Sequence, residues 1–98
     1  MSDESLEHRI RVALGNAFHH KHHTGGEGAV DIEHIASEHN VSEDQVKEQL
    51  AFLHRQNIIG GPLEFEGMQV AGVPGAMYDD VHITDTGLGW AASGYPVL

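Results

Sequence analysis

The sequence predicts an α+β fold in a single domain: a three-helix core, a two-stranded hairpin and a short C-terminal helix or tail. Three observations carry this. Apolar residues recur at helical spacing in three stretches before residue 57; capping residues precede the second and third of these stretches; and apolar and polar residues alternate, punctuated by Gly and Pro, between 60 and 83. At 98 residues, 1–98 make one domain with a modest core over about residues 5–92 and one working face.

Leu6, Ile10, Ala13, Leu14, Ala17 and Phe18 form the apolar stripe of a first helix from Ser5 to His20, with Glu7, His8, Arg9, Arg11 and Asn16 opposite. The run from His22 to Gly28, with Gly25, Gly26 and Gly28, reads as the loop that ends it. Asp31 is the N-cap of a second helix, where Val30 staples onto Ile35 and Ile32, Ile35 and Ala36 make the buried edge. His39 to Val41 make the turn. Ser42 and Gln45 then form a capping box, Val41 staples onto Val46, and Val46, Leu50 and Leu53 give the third helix its inward stripe. Asn57 falls where that helix must turn left-handed to stop.

Past Gly60, Gly61 and Pro62, the alternation of Leu63, Glu64, Phe65 and Glu66 predicts a strand. Gly67 reads as a bulge, because Met68 and Val70 continue on shifted parity. Ala71 to Ala76 turns the chain and Tyr78 to Ile83 returns as the second strand. Thr84 caps a last helix of one or two turns, weakened by Gly87, Gly89 and Gly94.

Composition narrows the function. There is no Cys, so thiol catalysis, disulfides and thiolate metal sites are excluded. Neither a membrane span nor a leader is visible and residue 2 is Ser rather than Gly, so a cytoplasmic location is expected. Asp and Glu number 15 against 5 Lys and Arg, the balance of a protein bathed in molar salt, and a halophilic source is expected. At low ionic strength such a surface repels phosphate. At 1 M salt the Debye length is about 3 Å and the repulsion no longer acts at a distance. Protonating all nine His would move the formal charge from -10 to -1. No nucleophile elbow or phosphate-cradling loop is present, and an enzyme is not expected.

The stretch from Val30 to Ile59, with Val30-Asp31-Ile32, Ile35-Ala36, Val41-Ser42, Val46, Leu50, Leu53 and Asn57-Ile58-Ile59 at their spacings, resembles the second and third helices of winged-helix bacterial and archaeal regulators. Ile83-Thr84-x-x-Gly87 is similar to the motif that often follows the second wing strand in that family. The likeness covers roughly residues 5–92. It implies a small winged-helix DNA-binding protein, a transcriptional regulator of double-stranded DNA, whose third helix enters the major groove. The DNA-binding residues would be Ser42, Gln45, Lys47, Gln49, His54 and Arg55, with Gln45 and Gln49 reading adenine and Lys47 meeting guanine or a phosphate.

Other features pull elsewhere. Glu43, Asp44 and Glu48 share the reading face, although acids at a helix start also complement its dipole. The turn from Ala71 to Ala76 lacks the Arg or Lys that the family puts there, and with Val73, Pro74, Ala76 and Met77 it offers an apolar surface. The alternative is therefore a protein–protein interaction module that binds no DNA. His19, His22 and His23, helped by Glu27, have the spacing of a metal site if the first helix persists, giving weak Zn or Ni binding and a metal-responsive regulator as a further alternative. No other cofactor is expected. Asp79, Asp80, His82 and Asp85 read as a solvated strand edge. Trp90 and Tyr95 are expected to pack on helix one or on a second copy, making a homodimer through helix one and the tail.

Overall fold

The computed structural model describes residues 5–24, 30–61, 64–66, 69–71 and 81–98. Its elements in order are α1 Leu6–His23, α2 Ile32–Glu38, α3 Glu43–Arg55, β1 Ile59–Gly60, β2 Glu64–Glu66, β3 Gln69–Ala71, β4 His82–Ile83 and α4 Asp85–Ala92. This is an α+β arrangement with short antiparallel strand pairs, compatible with a winged-helix-like layout.

Side-chain oxygens start each of these helices. Ser5 accepts from the His8 amide (3.1 Å), Asp31 from His34 (3.3 Å) and Thr84 from Gly87 (3.1 Å). The capping box is complete: Ser42 Oγ accepts from the Gln45 amide at 3.2 Å, and Gln45 Oε1 accepts from the Ser42 amide at 3.0 Å. Left-handed residues follow α2, α3 and α4, namely Asn40 (φ 54°), Asn57 (φ 61°) and Gly94 (φ 83°). The next amide in each case returns to a carbonyl of the last turn: Val41 to Ala36, Ile58 to Leu53 and Tyr95 to Trp90.

Helix α1 runs to His23 rather than stopping at His20. Lys21 explains the extension. Its side chain turns inward, is only 6% exposed and donates from Nζ to the Val81 carbonyl at 3.1 Å. The Thr24 hydroxyl closes the last turn by donating to the Lys21 carbonyl at 2.9 Å. Tertiary anchoring thus holds a turn whose own sequence is a weak helix former. Gly25, Gly26, Glu27 and Gly28 lie outside the described residues.

Strand pairing corrects the predicted hairpin. Glu64, Phe65 and Glu66 pair with Ala71, Val70 and Gln69, so the chain reverses between Glu66 and Gln69 instead of continuing through a bulge. A glycine in an alternating run serves a bulge or a tight reversal equally, and only pairing tells them apart. Strand β4 pairs not with this segment but with β1, Ile59 opposite Ile83 and Gly60 opposite His82. Gly67 and the apolar turn residues Val73, Pro74, Ala76 and Met77 lie outside the described residues, as do Tyr78, Asp79 and Asp80.

One core unites the elements. Ile10, Leu14 and Phe18 of α1 meet Ile32, Ile35 and Ala36 of α2, Val46, Leu50, Ala51 and Leu53 of α3, and Ile58, Ile59, Val81 and Ile83 around the β1–β4 pair. Trp90 of α4 closes it on one side. The tail packs on its own α1: Trp90 Nε1 donates to the Pro96 carbonyl (2.8 Å), Tyr95 stacks edge-on against Trp90, and the Tyr95 hydroxyl donates to Asn16 Oδ1 (2.6 Å). Gly15 makes room for it, because a Cβ there would sit 2.6 Å from Trp90 Cζ3. Among the described residues, only Val97 and Leu98 stand out as large exposed apolar residues. No helix among the described residues is long and apolar enough to cross a membrane.

Burial raises the Tyr95 phenol above its ordinary value. In the unfolded chain it ionises near pH 10, before the folded form does. Its contribution is thus complete below that pH and lost as pH rises through the folded value. Stability measured by denaturation should fall above about pH 10, and Tyr95→Phe should flatten that part of the curve. An unchanged slope in the variant would remove Tyr95 as the cause.

Candidate nucleic-acid interface

Helix α3 carries the predicted reading face, and its first turn is exposed. Glu43, Asp44, Gln45 and, one turn on, Glu48 are exposed, as is Arg55 near the end. The stripe of Val46, Leu50 and Leu53 is buried, each at 0% exposure, so the outer edge is fixed in orientation by the inner one. Strand β3 lies against α3 as well.

The six predicted DNA-binding residues do not share one role. Ser42 and Gln45 are exposed but tied to each other by the capping box, leaving the Gln45 amide nitrogen as its outward group. Lys47 is half-buried. His54 is half-buried and donates from Nε2 to the Gly61 carbonyl at 3.2 Å; a carbonyl only accepts, so that contact fixes the proton on Nε2. Arg55 is exposed.

Gln49 is a correction. It is 8% exposed, and its Oε1 accepts from Arg11 Nε at 2.7 Å across the α1–α3 contact, which leaves it unable to read adenine. The cause is helical geometry: position 49 lies three after Val46 and four before Leu53, on the shoulder of the buried stripe. Arg11 and Phe52 were not among the expected residues, because their contacts run between α1 and α3. The Arg11 guanidinium carbon sits 3.8 Å from the centre of the Phe52 ring, a cation–π contact. Burial lowers the Arg11 guanidinium from its ordinary value, and the neighbouring Glu7 carboxylate partly opposes this.

Between α1 and α3 these side chains line a groove of about 450 Å³, with Leu6, Ile10 and Phe52 as its apolar part and Glu7, Arg11, Glu48 and Arg55 as its charged part. Its two acids and two arginines balance, so the groove offers no strong field of either polarity. A second cleft of about 470 Å³ lies between α1 and α2, bordered by Arg9, Asn16 and the His34–Glu38 pair (3.2 Å).

Of the five Lys and Arg, Arg9 is exposed on α1. Lys21 is buried and bonded to backbone, and Arg11 is committed to Phe52 and Gln49. On α3 only Lys47 and Arg55 remain for phosphate, beside three exposed acids, Glu43, Asp44 and Glu48.

His19 and His23 stack edge-on with ring centres 4.5 Å apart, and His22 lies 6.1 Å from His23. Among the described residues no group of three His, Asp or Glu comes together as a metal site. Comparison with protein-family models, curated proteins and solved structures finds no match to this chain.

Proposed function

We propose that the chain is a small winged-helix-like DNA-binding protein, acting as a transcriptional regulator, that reads sequence with the outer edge of α3 and draws little affinity from phosphates. One observation supports this above the others: the start of α3 is capped, backed by the core and exposed, while the described C-terminal tail docks on α1. The readers are Glu48, whose carboxylate accepts from cytosine N4, the outward nitrogen of Gln45, and Arg55 as donor to guanine or phosphate. Lys47 contacts the backbone.

Few free cations give this proposal a signature. Each phosphate neutralised contributes about −0.9 to the slope of log K against log salt, so Lys47 and Arg55 together predict a slope near about −2. Binding would persist in molar KCl, where the acids on the same edge are screened. The test is selection from a randomised duplex pool, followed by anisotropy titrations from low salt to molar KCl. The expected result is an enriched sequence, a slope near about −2, and a reduction towards about −1 in Lys47→Ala. No enrichment at any salt would overturn the proposal.

The groove between α1 and α3 favours a second reading, a protein–protein interaction module. Its apolar part and mixed-sign charges suit a peptide segment with an apolar anchor better than a nucleic-acid backbone. Failure of the duplex selection would leave this reading in front.

A further inference from the structure

We infer that His19 and His23 form a two-imidazole chelate for a tetragonal divalent ion, Ni2+ or Cu2+, on the last turn of α1. The site is separate from the α3 edge and does not depend on what that edge binds.

The separation of the rings carries the inference. A metal-bound imidazole has its nitrogen about 2.1 Å from the ion, which puts the ring centre about 3.2 Å away. Two such rings at right angles about the ion have centres about 4.5 Å apart, whereas a tetrahedral angle spreads them to about 5.2 Å. His19 and His23 stand at 4.5 Å, with ring planes 70° apart. At that spacing the two rings can take two adjacent corners of a square or octahedron about one ion. His22 and His23 at 6.1 Å are too far apart to occupy adjacent corners.

Preorganisation is the second support. Residues four apart on a helix share a face, and this pair lies there only because α1 continues to His23. That turn is held by the buried Lys21 contact to Val81 and closed by Thr24. The rings are thus brought together by the folded backbone before any ion arrives, which lowers the entropic cost of binding. His19 is half-buried and His23 exposed, so water and a third ligand can complete the coordination.

The test is calorimetric titration of tag-free protein with NiCl2, set beside single variants at all four clustered histidines. Wild type should bind one Ni2+ more tightly than Zn2+. His19→Ala and His23→Ala should each weaken Ni2+ binding about tenfold or more, since even a group supporting a ligand is worth that much. His20→Ala and His22→Ala, which leave the same number of histidines, should stay close to wild type. Ni2+ should also raise the Tm of wild type and of the two controls, and not of His19→Ala or His23→Ala. Equal losses in all four variants, a preference for Zn2+, or unchanged affinity in His19→Ala and His23→Ala would overturn the chelate. Circular dichroism confirms that each variant is folded.

Discussion

Gly87→Ala should destabilise the protein by about 3 kcal/mol, seen as a lower urea midpoint at unchanged m. A Cβ at this position would sit 2.2 Å from the Ile58 carbonyl oxygen and 2.5 Å from Ile83 Cγ1. Neither can yield cheaply. The Ile58 carbonyl accepts from the Thr84 amide at 3.0 Å, while the Ile58 amide is bonded to the Leu53 carbonyl that closes α3. The Thr84 hydroxyl also donates to the Asn57 carbonyl, with that of Ile58 as its alternative acceptor at 3.1 Å. The start of α4 and the end of α3 are therefore riveted together, with Gly87 as the clearance between them. Gly89, in the same helix, has nothing within 4 Å of an added Cβ. Gly89→Ala should accordingly stabilise, by up to about 1 kcal/mol, through helix propensity alone. Two glycines of one helix giving shifts of opposite sign is the discriminating outcome; a Gly87→Ala midpoint at or above wild type would show that the contact relaxes freely.

The other large effect is expected at Trp90. Trp90→Ala should cost about 3–5 kcal/mol, read by far-UV circular dichroism in urea because the variant lacks the only Trp. The ring is 6% exposed, covers Gly15 of α1 and supports Tyr95, whose ring centre lies 4.9 Å away. Its removal takes out a side of the core and the platform on which the tail rests. Trp90→Phe keeps an aromatic ring but loses the donor to the Pro96 carbonyl, a contribution of about 1 kcal/mol, along with part of the packing. It should fall between wild type and Trp90→Ala. A Trp90→Ala loss below about 1 kcal/mol would mean that the tail carries little of the fold.

Elements whose causes are local were legible in the sequence. Ser42 with Gln45, Asp31 before Ile32, and Asn57 after Arg55 each act within a few residues, and the structure has the cap, the start and the left-handed stop at those positions. Thr84 likewise caps α4. What the sequence hid depends on distant partners. Lys21 extends α1 through a carbonyl 60 residues away, and Arg11 withdraws Gln49 from the outer edge of α3 across 38 residues. The reversal between Glu66 and Gln69 was hidden for another reason, since glycine in an alternating run suits both a bulge that continues a strand and a turn that reverses it. At the candidate interface the helix was readable but not the identity of its outward side chains. Position 49 faces Arg11, while position 48, which carries Glu, faces solvent.

The grip of the C-terminal residues on α1 bears on how the chain is made. Asn16 is held by Tyr95 across 79 residues, and the ribosome adds about 5–20 residues each second, so the Gly15–Asn16 side of α1 is made several seconds before the Trp90 and Tyr95 rings that cover it. Through that interval the nascent segment presents an adhesive strip to chaperones and to neighbouring chains. Premature termination ahead of Trp90 would leave that side of α1 uncovered.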